Sequence, residues 1–254
     1  MMSSSSVSVP ILRRANLLVG LVHAAQAVVI LALSNDFSLP VTGAFLEGPP
    51  GDEAAAQEHL FDLPVGPVVA VFLALAAIDH LAVASPRLHT WYAEHLCQER
   101  NYARWIEYAF SASVMIVLIA MLAGISNIFA LIGLFAINAA MILFGLLMEM
   151  LNPRRGGANW MPFWFGALAG AIPWVVIAIA IGGGEADGTV PTFVYGIFVS
   201  LFVLFNTFAV NMFLQYRRVG PWRDYVHGER VYILLSVTAK SLLAWQVFGS
   251  TLAA

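Results

Sequence analysis

The sequence predicts an all-α membrane protein, built as a bundle of seven transmembrane helices. Of its 254 residues, 60% are hydrophobic and 11% are charged, and the mean hydropathy is +0.82. A soluble domain carries roughly 25% charged residues. A helix needs about 20 mostly apolar residues to cross the hydrocarbon core of a bilayer. Seven segments meet this requirement, over residues 15–33, 65–84, 102–124, 128–150, 162–181, 191–215 and 231–248.

The arginines predict the orientation of the bundle. With seven crossings, all eleven arginines fall on one side of the membrane, namely Arg13, Arg14, Arg87, Arg100, Arg104, Arg154, Arg155, Arg217, Arg218, Arg223 and Arg230. The loops on the opposite side contain acidic residues and neither lysine nor arginine. By the positive-inside rule, the N-terminus is expected in the cytoplasm and the C-terminus outside.

The chain is expected to form one domain over residues 1–254, with residues 1–12 as a disordered polar tail. The first outer loop, residues 34–64, is long and contains four prolines. Within it, residues 37–39 and 41–45 predict a short β-hairpin near Gly43. The loop either caps the bundle or contacts a second subunit, or it is an unstructured acidic connection.

Composition also excludes several kinds of site. The single cysteine, Cys97, excludes a disulfide framework and a cysteine-based metal site. The sequence has no recognisable nucleotide-binding loop, metal-ligand cluster or nucleophilic triad. We therefore expect neither an enzyme nor a nucleic-acid-binding protein, and no metal site, in a protein surrounded by membrane lipids.

The last apolar segment carries the only lysine of the chain, Lys240, near its middle. A lysine at the centre of a membrane helix costs roughly 2.5–3.5 kcal/mol on insertion scales, so we expect it to have a use. A buried amine can form a Schiff base with an aldehyde. The alternative is a side chain that reaches the interface, but Lys240 lies about 15 Å from the arginine-marked end of its helix.

Polar residues recur in the first two segments. Asn16, His23 and Gln26 share one face of the first helix and are expected to face inward, as packing residues or as the wall of a polar cavity. In the second segment, His80 is expected to join His23. The neighbouring Asp79 is most simply a solvated carboxylate near the interface.

The third segment supplies a carboxylate for the lysine. Helical side chains lean toward the N-terminus of their own helix. Because the third and seventh helices begin on the same side, Glu107 and Lys240 are expected to meet at similar depth, with Ser111 one turn beyond Glu107. The alternative is a structural pair between Arg104 and Glu107.

Residues aligned on one face of the fourth segment, and on one face of the sixth, predict either ordinary core or the wall of an apolar pocket. These residues, with the tryptophans that are expected to join them, are Asn138, Met141, Gly145, Met148, Phe198, Phe202, Phe205, Trp105, Trp164, Trp174 and Trp245. Gly166 and Gly170 form a GxxxG pattern, which is a weak signal of close helix packing.

Several motifs together resemble those of the heliorhodopsins, a family of microbial retinal-binding rhodopsins with inverted membrane topology. The motifs are Arg104-Trp-Ile-Glu107-Tyr108, Pro162-Phe-Trp-Phe-Gly166, Phe193-Val-Tyr-Gly196, Gly228-Glu-Arg-Val-Tyr232 and Ser236-Val-Thr-Ala-Lys240-Ser-Leu-Leu-Ala-Trp-Gln246. The resemblance covers essentially the whole chain. The cytoplasmic N-terminus that the arginines predict agrees with it.

The resemblance implies a cofactor and roles for individual residues. Lys240 would carry all-trans retinal as a protonated Schiff base, with Glu107 as its counterion and Ser236 beside it. His23 and His80 would form a proton-accepting polar network on the cytoplasmic side. The retinal pocket would be completed by Met141, Phe205, Asn138, Trp105 and Tyr108.

The resemblance also implies a homodimer in the cell membrane, with the long first outer loop contributing to the contact. The family is viewed as light-sensing, with a slow photocycle and no established ion pumping. Asp79 stands where an apolar residue is expected, so no role is carried over to it.

Three functions compete. The first is a photoreceptor that signals to a cytoplasmic partner through the arginine-rich loops. The second is light-driven or light-gated proton transport, which needs polar groups on both sides of the Schiff base. Against it, Glu107, Asp79, His23 and His80 all cluster toward the cytoplasmic side. The third is an enzyme or transporter that uses Lys240 as a charged site without retinal.

Overall fold

A computed structural model describes residues 5–46, 48–49, 56–152, 157–185 and 192–252. These residues form eight α-helices, one two-stranded sheet and one 3₁₀ turn, Gly220–Arg223. In chain order the helices and strands are α1 (Ser5–Leu33), β1 (Ser38–Ala44), β2 (Gln57–Pro64), α2 (Val65–Ala84), α3 (Pro86–Cys97), α4 (Tyr102–Leu122), α5 (Ile128–Leu151), α6 (Met161–Glu185), α7 (Thr192–Arg217) and α8 (Tyr225–Leu252).

Seven of these helices are long and apolar enough to cross a membrane, which confirms the predicted seven-helix bundle. The candidate spans are Leu12–Leu33, Val65–Ala84, Tyr102–Leu122, Ile128–Leu151, Met161–Gly183, Val194–Arg217 and Tyr225–Gly249. Helix α1 begins at Ser5, within the stretch 1–12 that was expected to be a disordered tail. Serine is only mildly unfavourable in a helix, so a polar run alone does not end one. Residues 1–4 lie outside the described chain.

The two ends of the bundle differ in chemistry. At one end, which we call the arginine-rich end, Arg13 Nε donates to the carbonyl of Ala84 at 2.9 Å, so the membrane span of α1 begins beside the end of α2. The opposite end carries the β1–β2 sheet, and we call it the hairpin end.

The hairpin does not close near Gly43 as predicted, because that residue lies inside β1. β1 pairs with β2 in antiparallel register from Ser38 opposite Pro64 to Ala44 opposite Gln57. The connection between the two strands lies partly outside the described residues. Strand β1 also docks on the connection between α4 and α5, where the Thr42 amide donates to the Ser126 carbonyl at 2.9 Å. Gly43 suggested a turn within a short stretch, but β1 pairs with a strand that begins well beyond it in the sequence, so local turn residues do not predict this pairing.

Helix α3 was not predicted. Ser85 caps its N-terminus by accepting a hydrogen bond from the Leu88 amide, and Pro86 occupies the first helical turn, where proline is favoured. The helix buries only Tyr92 and Leu96. It is too short and too polar to be found by a search for membrane spans.

The apolar core is concentrated in the half of the bundle nearer the hairpin end. There Leu73, Ile116, Leu201 and Phe248, from four different helices, belong to one large cluster of buried side chains. The buried charged side chains lie in the middle of the bundle and toward the arginine-rich end, and they are Arg104, Glu107, Glu149, Glu229 and Lys240. Among the described residues, the buried charges are therefore confined to the middle of the bundle and its arginine-rich half.

Candidate functional site: a buried lysine at an apolar cavity

Lys240 on α8 and Glu107 on α4 form a buried ion pair. Lys240 Nζ lies 2.5 Å and 2.6 Å from the two carboxylate oxygens of Glu107 and donates to Ser111 Oγ at 3.0 Å. The two residues are 4% and 8% exposed, so neither charge is solvated. The predicted meeting of these two side chains is therefore present, and the lysine does not reach the interface.

Two aromatic rings flank the amine. Lys240 Nζ lies 4.7 Å from the centre of the Tyr108 ring and 5.7 Å from that of Phe72. Aromatic faces attract a cation at such distances. The amine of Lys240 is thus enclosed by a carboxylate, a hydroxyl and two aromatic rings.

Arg104 does not pair with Glu107, contrary to the alternative that the sequence left open. Its Nη2 donates to Glu149 Oε1 at 2.5 Å, and its Nη1 donates to Glu229 Oε1. Asn101 joins both carboxylates, with its backbone amide on Glu149 at 2.8 Å and its Nδ2 on Glu229 at 2.7 Å. We call these four residues the arginine cluster.

Sequence reasoning missed the two carboxylates of the arginine cluster. Glu149 is 2% exposed and Glu229 is 1% exposed. Glu149 lies within an apolar segment predicted to cross the membrane, and an ionisable residue in such a segment is a signal of function or pairing that would have identified it. Glu229 stands in the first turns of α8, where a solvated carboxylate is equally compatible with the sequence.

The histidines lie between the lysine and the arginine-rich end. His80 Nδ1 is 2.6 Å from Asn16 Oδ1, and His80 Nε2 is 2.9 Å from Ser236 Oγ. Ser236 Oγ is also 3.5 Å from His23 Nε2, and the two imidazole rings stack with their centres 5.9 Å apart. We call Asn16, His23, His80 and Ser236 the histidine network. The structure thus brings His23 and His80 together as expected.

The polar face predicted for α1 points inward. Asn16 and His23 are buried, and Gln26 accepts a hydrogen bond from Ser241 Oγ at 3.0 Å. Asn138 is buried as well, but its Nδ2 donates to Ser113 Oγ at 3.0 Å, and it is not among the residues that line either cavity described below.

An apolar cavity of about 330 Å³ opens beside Lys240. This volume lies at the lower end of the range of roughly 300–1,000 Å³ that is usual for small-molecule sites. The lining comes from α2 and α4 to α8, and among the residues singled out from the sequence it includes Trp105, Tyr108, Met141, Gly145, Gly166, Gly170, Trp174, Phe202, Phe205 and Lys240.

Glycines make the room for this cavity. A Cβ atom at Gly170 would lie 2.8 Å from Met141 Cγ and 3.3 Å from Met141 Sδ, so a larger residue would displace that side chain. At Gly145 a Cβ atom would overlap the indole ring of Trp105. The cavity wall therefore depends on residues with no side chain at these points.

A smaller polar cavity of about 20 Å³ lies toward the arginine-rich end. Its wall joins the histidine network to the arginine cluster, and it is lined by Asn16, Asp79, His80, Val83, Tyr92, Asn101, Arg104, Tyr108, Glu229, Tyr232 and Ile233. Tyr108 borders both cavities.

Retinal fits the chemistry of the larger cavity. An amine nucleophile opens onto walls of aromatic and aliphatic side chains, which suits an apolar aldehyde rather than a charged substrate. Glu107 stands where it balances a cation on that nitrogen.

Comparison with known proteins gives the family and the fold. A heliorhodopsin family profile matches residues 12–252. The fold is shared with the crystal structure of a light-driven proton pump, LR (Mac), from Leptosphaeria maculans, at 13% sequence identity and a TM-score of 0.63, covering 100% of this chain and 98% of that one. No curated protein matches the chain. Since the family match spans nearly the whole sequence, this integral membrane protein with its several crossings belongs to the heliorhodopsins, a family of light-sensing retinal proteins.

Proposed function

We propose that the protein is a light sensor that binds all-trans retinal on Lys240 as a protonated Schiff base, passes through a slow photocycle and pumps no ion. The observation that carries the proposal is the contact of Lys240 Nζ with both carboxylate oxygens of Glu107 at the wall of an apolar cavity. Retinal supplies absorption of visible light and a change of shape on isomerisation.

The residues around the nitrogen hold its charge. Glu107 accepts from Lys240 through both oxygens, and Ser111 accepts a third hydrogen bond at 3.0 Å. A carboxylate this close favours the protonated nitrogen, and low exposure strengthens the attraction. We therefore assign Glu107 as the counterion and Ser111 as a positioning residue.

The histidine network is the proposed acceptor when the proton leaves that nitrogen. Ser236 stands one helical turn before Lys240 and is hydrogen-bonded to His80 at 2.9 Å. An imidazole nitrogen can accept a proton and release it again, which suits this role.

The asymmetry of the core supports sensing over transport. The half of the bundle nearer the hairpin end is packed with apolar side chains such as Leu73, Ile116 and Phe248. A pump requires switched access to both sides. Light-driven proton transport remains the second candidate because the structural neighbour from Leptosphaeria maculans is described as a light-driven proton pump.

The orientation follows from the arginines, which the positive-inside rule assigns to the cytoplasm. On this basis the arginine-rich end faces the cytoplasm, where a signalling partner binds, and the hairpin end faces outward. The exposed apolar side chains of the hairpin, Phe45, Leu60 and Phe61, support a role for this segment in a homodimer.

The test combines spectroscopy with a transport measurement on one sample. Purified protein mixed with all-trans retinal is expected to gain a visible absorption band, which Lys240→Ala abolishes. Glu107→Gln is expected to shift the band and lower the pH at which it is lost. If Glu107→Gln leaves both unchanged, the counterion assignment is wrong.

The same protein is then reconstituted in vesicles and illuminated while the external pH is recorded. A pump gives a light-induced pH change that a protonophore abolishes, whereas a sensor gives no such change. The first outcome would replace sensing by transport.

A further inference from the structure

Asp79 lies where neither the family resemblance nor the proposed retinal site requires an acid. It is half-buried on α2, next to His80 and five residues before the end of the helix. Its side chain makes no hydrogen bond to any other residue that the structure describes. It is therefore not the fully solvated interface residue that the sequence most simply indicated.

The carboxylate faces the polar cavity, and both polar networks border the same cavity. His80 and Asn16 belong to the histidine network, whereas Arg104 and Glu229 belong to the arginine cluster. No hydrogen bond joins the two networks within the described part of the chain. Of the two described carboxylates that line the cavity, Arg104 holds Glu229 and does not hold Asp79.

Two buried donors at the cavity have no hydrogen-bond partner among the described residues. They are Asn16 Nδ2, in the histidine network, and Arg104 Nε, in the arginine cluster. Buried polar groups are nearly always satisfied by protein or by ordered water. A cavity of about 20 Å³ has room for a water molecule, which needs about 10–15 Å³ on this measure and two to four polar partners.

We propose that Asp79 exchanges protons between the histidine network and the arginine cluster through water held in the polar cavity. The inference rests on the proposed function, in which a proton leaves the Lys240 nitrogen toward His80. The proton moves from the imidazole of His80 through water in the cavity to a carboxylate oxygen of Asp79, and from there through water to Glu229. The return follows the same atoms in reverse, so no proton is gained or lost.

The surrounding charges make Asp79 sensitive to the state of both networks. The titratable and charged groups around it, among the described residues, are His80 on its own helix, Tyr92 on α3, Arg104, Glu107 and Tyr108 on α4, and Glu229, Tyr232 and Lys240 on α8. Chains of acidic and histidine side chains inside membranes are the usual form of proton relays. Asp79 completes such a chain in this protein.

The first experiment uses the full-length protein in lipid nanodiscs with all-trans retinal. Asp79→Asn is expected to leave the dark absorption band in place and to slow the proton's return by about tenfold or more, because a positioned acid–base group contributes roughly 100- to 10,000-fold. Asp79→Glu, which keeps a carboxylate, is expected to restore the rate. Asp62→Asn, an exposed carboxylate of β2, is the matched control.

Infrared light-minus-dark spectra of the same samples provide the direct readout. A carboxyl band that is present in the wild type and in Asp62→Asn, and missing in Asp79→Asn, supports the proposal. Identical carboxyl bands and identical kinetics in Asp79→Asn and the wild type would overturn it.

A second experiment needs no retinal and separates this proposal from the proposed function. The infrared carboxyl band of Asp79 is titrated in the retinal-free protein, and Glu229→Gln is expected to shift its midpoint because the two groups share the cavity. An unshifted midpoint would overturn the relay. If the wild type instead gains no visible band with retinal, the proposed function is refuted. The titration of Asp79 would still test whether Asp79 and Glu229 are coupled, because it needs no retinal.

Discussion

Ser236 Oγ lies 2.9 Å from His80 Nε2, one turn of α8 before Lys240. The hydroxyl therefore connects the helix that carries the lysine to the histidine on α2, and it is fully buried.

Ser236→Ala is expected to lower the free energy of unfolding by about 1–3 kcal/mol, because it leaves a buried imidazole nitrogen without its partner. It is also expected to slow proton transfer to His80 after a flash. Thermal unfolding and flash spectroscopy in nanodiscs measure the two effects. Thr238→Ala is the control, since that hydroxyl bonds only to a backbone carbonyl of its own helix at 2.8 Å and is exposed. Equal effects of the two variants would contradict the prediction.

Arg104 is expected to be the most sensitive residue for stability. Arg104→Met leaves the carboxylates of Glu149 and Glu229 buried without their cation, and breaking such a group costs about 3–5 kcal/mol. The measurement is the thermal unfolding midpoint in nanodiscs.

A triple variant tests whether unpaired charge causes this loss of stability. Arg104→Met combined with Glu149→Gln and Glu229→Gln removes all three charges and is expected to recover much of the lost stability. If it is as unstable as Arg104→Met alone, packing of the guanidinium between Trp105 and Tyr232, rather than charge, explains the loss.

Gly170→Val is expected to abolish or strongly weaken the binding of retinal. The added side chain enters the space where Met141 Cγ and Sδ lie within 2.8–3.3 Å of the first new atom. The amplitude of the visible band after addition of retinal is the measurement. Gly182→Val on the same helix is the control, because no atom of the described residues lies within 4 Å of the Cβ position there. A normal band in Gly170→Val would show that the retinal site lies elsewhere.

The buried phenol of Tyr92 is expected to make the free energy of unfolding depend on pH in the alkaline range. Burial, and then the charge of Glu229, raise the pKa of its phenol above the ordinary value near 10. Above that pH the unfolded chain loses the proton while the folded protein keeps it, so the free energy of unfolding falls by up to about 1.4 kcal/mol per pH unit.

Tyr92→Phe is expected to remove this part of the slope. Unfolding midpoints between about pH 9 and about pH 11, one unit on either side of the ordinary tyrosine pKa, provide the measurement. Tyr102→Phe serves as the comparison. An unchanged slope in Tyr92→Phe would contradict the assignment to this residue.

The sequence was sufficient to predict the membrane-spanning helices and the contact between Glu107 and Lys240. Apolar length identified all seven spans, and the lean of helical side chains predicted that Glu107 and Lys240 meet. The first inference uses only the composition of each helix, and the second uses the fact that the two helices run in the same direction.

What the sequence could not supply depends on contacts between distant segments. The pairing of β1 with β2, and the docking of Thr42 on Ser126, join residues that no local pattern relates. The choice of Arg104 between Glu107 and the pair Glu149 and Glu229 likewise depends on how α4, α5 and α8 pack. The spacing of apolar residues predicts which face of a helix is buried, but it does not predict which helix packs against that face.

The uneven distribution of polar groups has a mechanical consequence. On the hairpin side, Lys240 is backed by interlocked hydrocarbon, which deforms little because protein interiors are close-packed. On the other side it is backed by exchangeable hydrogen bonds. A displacement of the amine toward the arginine-rich end is therefore expected to change the hydrogen bonds of Ser236 and the histidines, whereas a displacement toward the hairpin end meets packed apolar side chains.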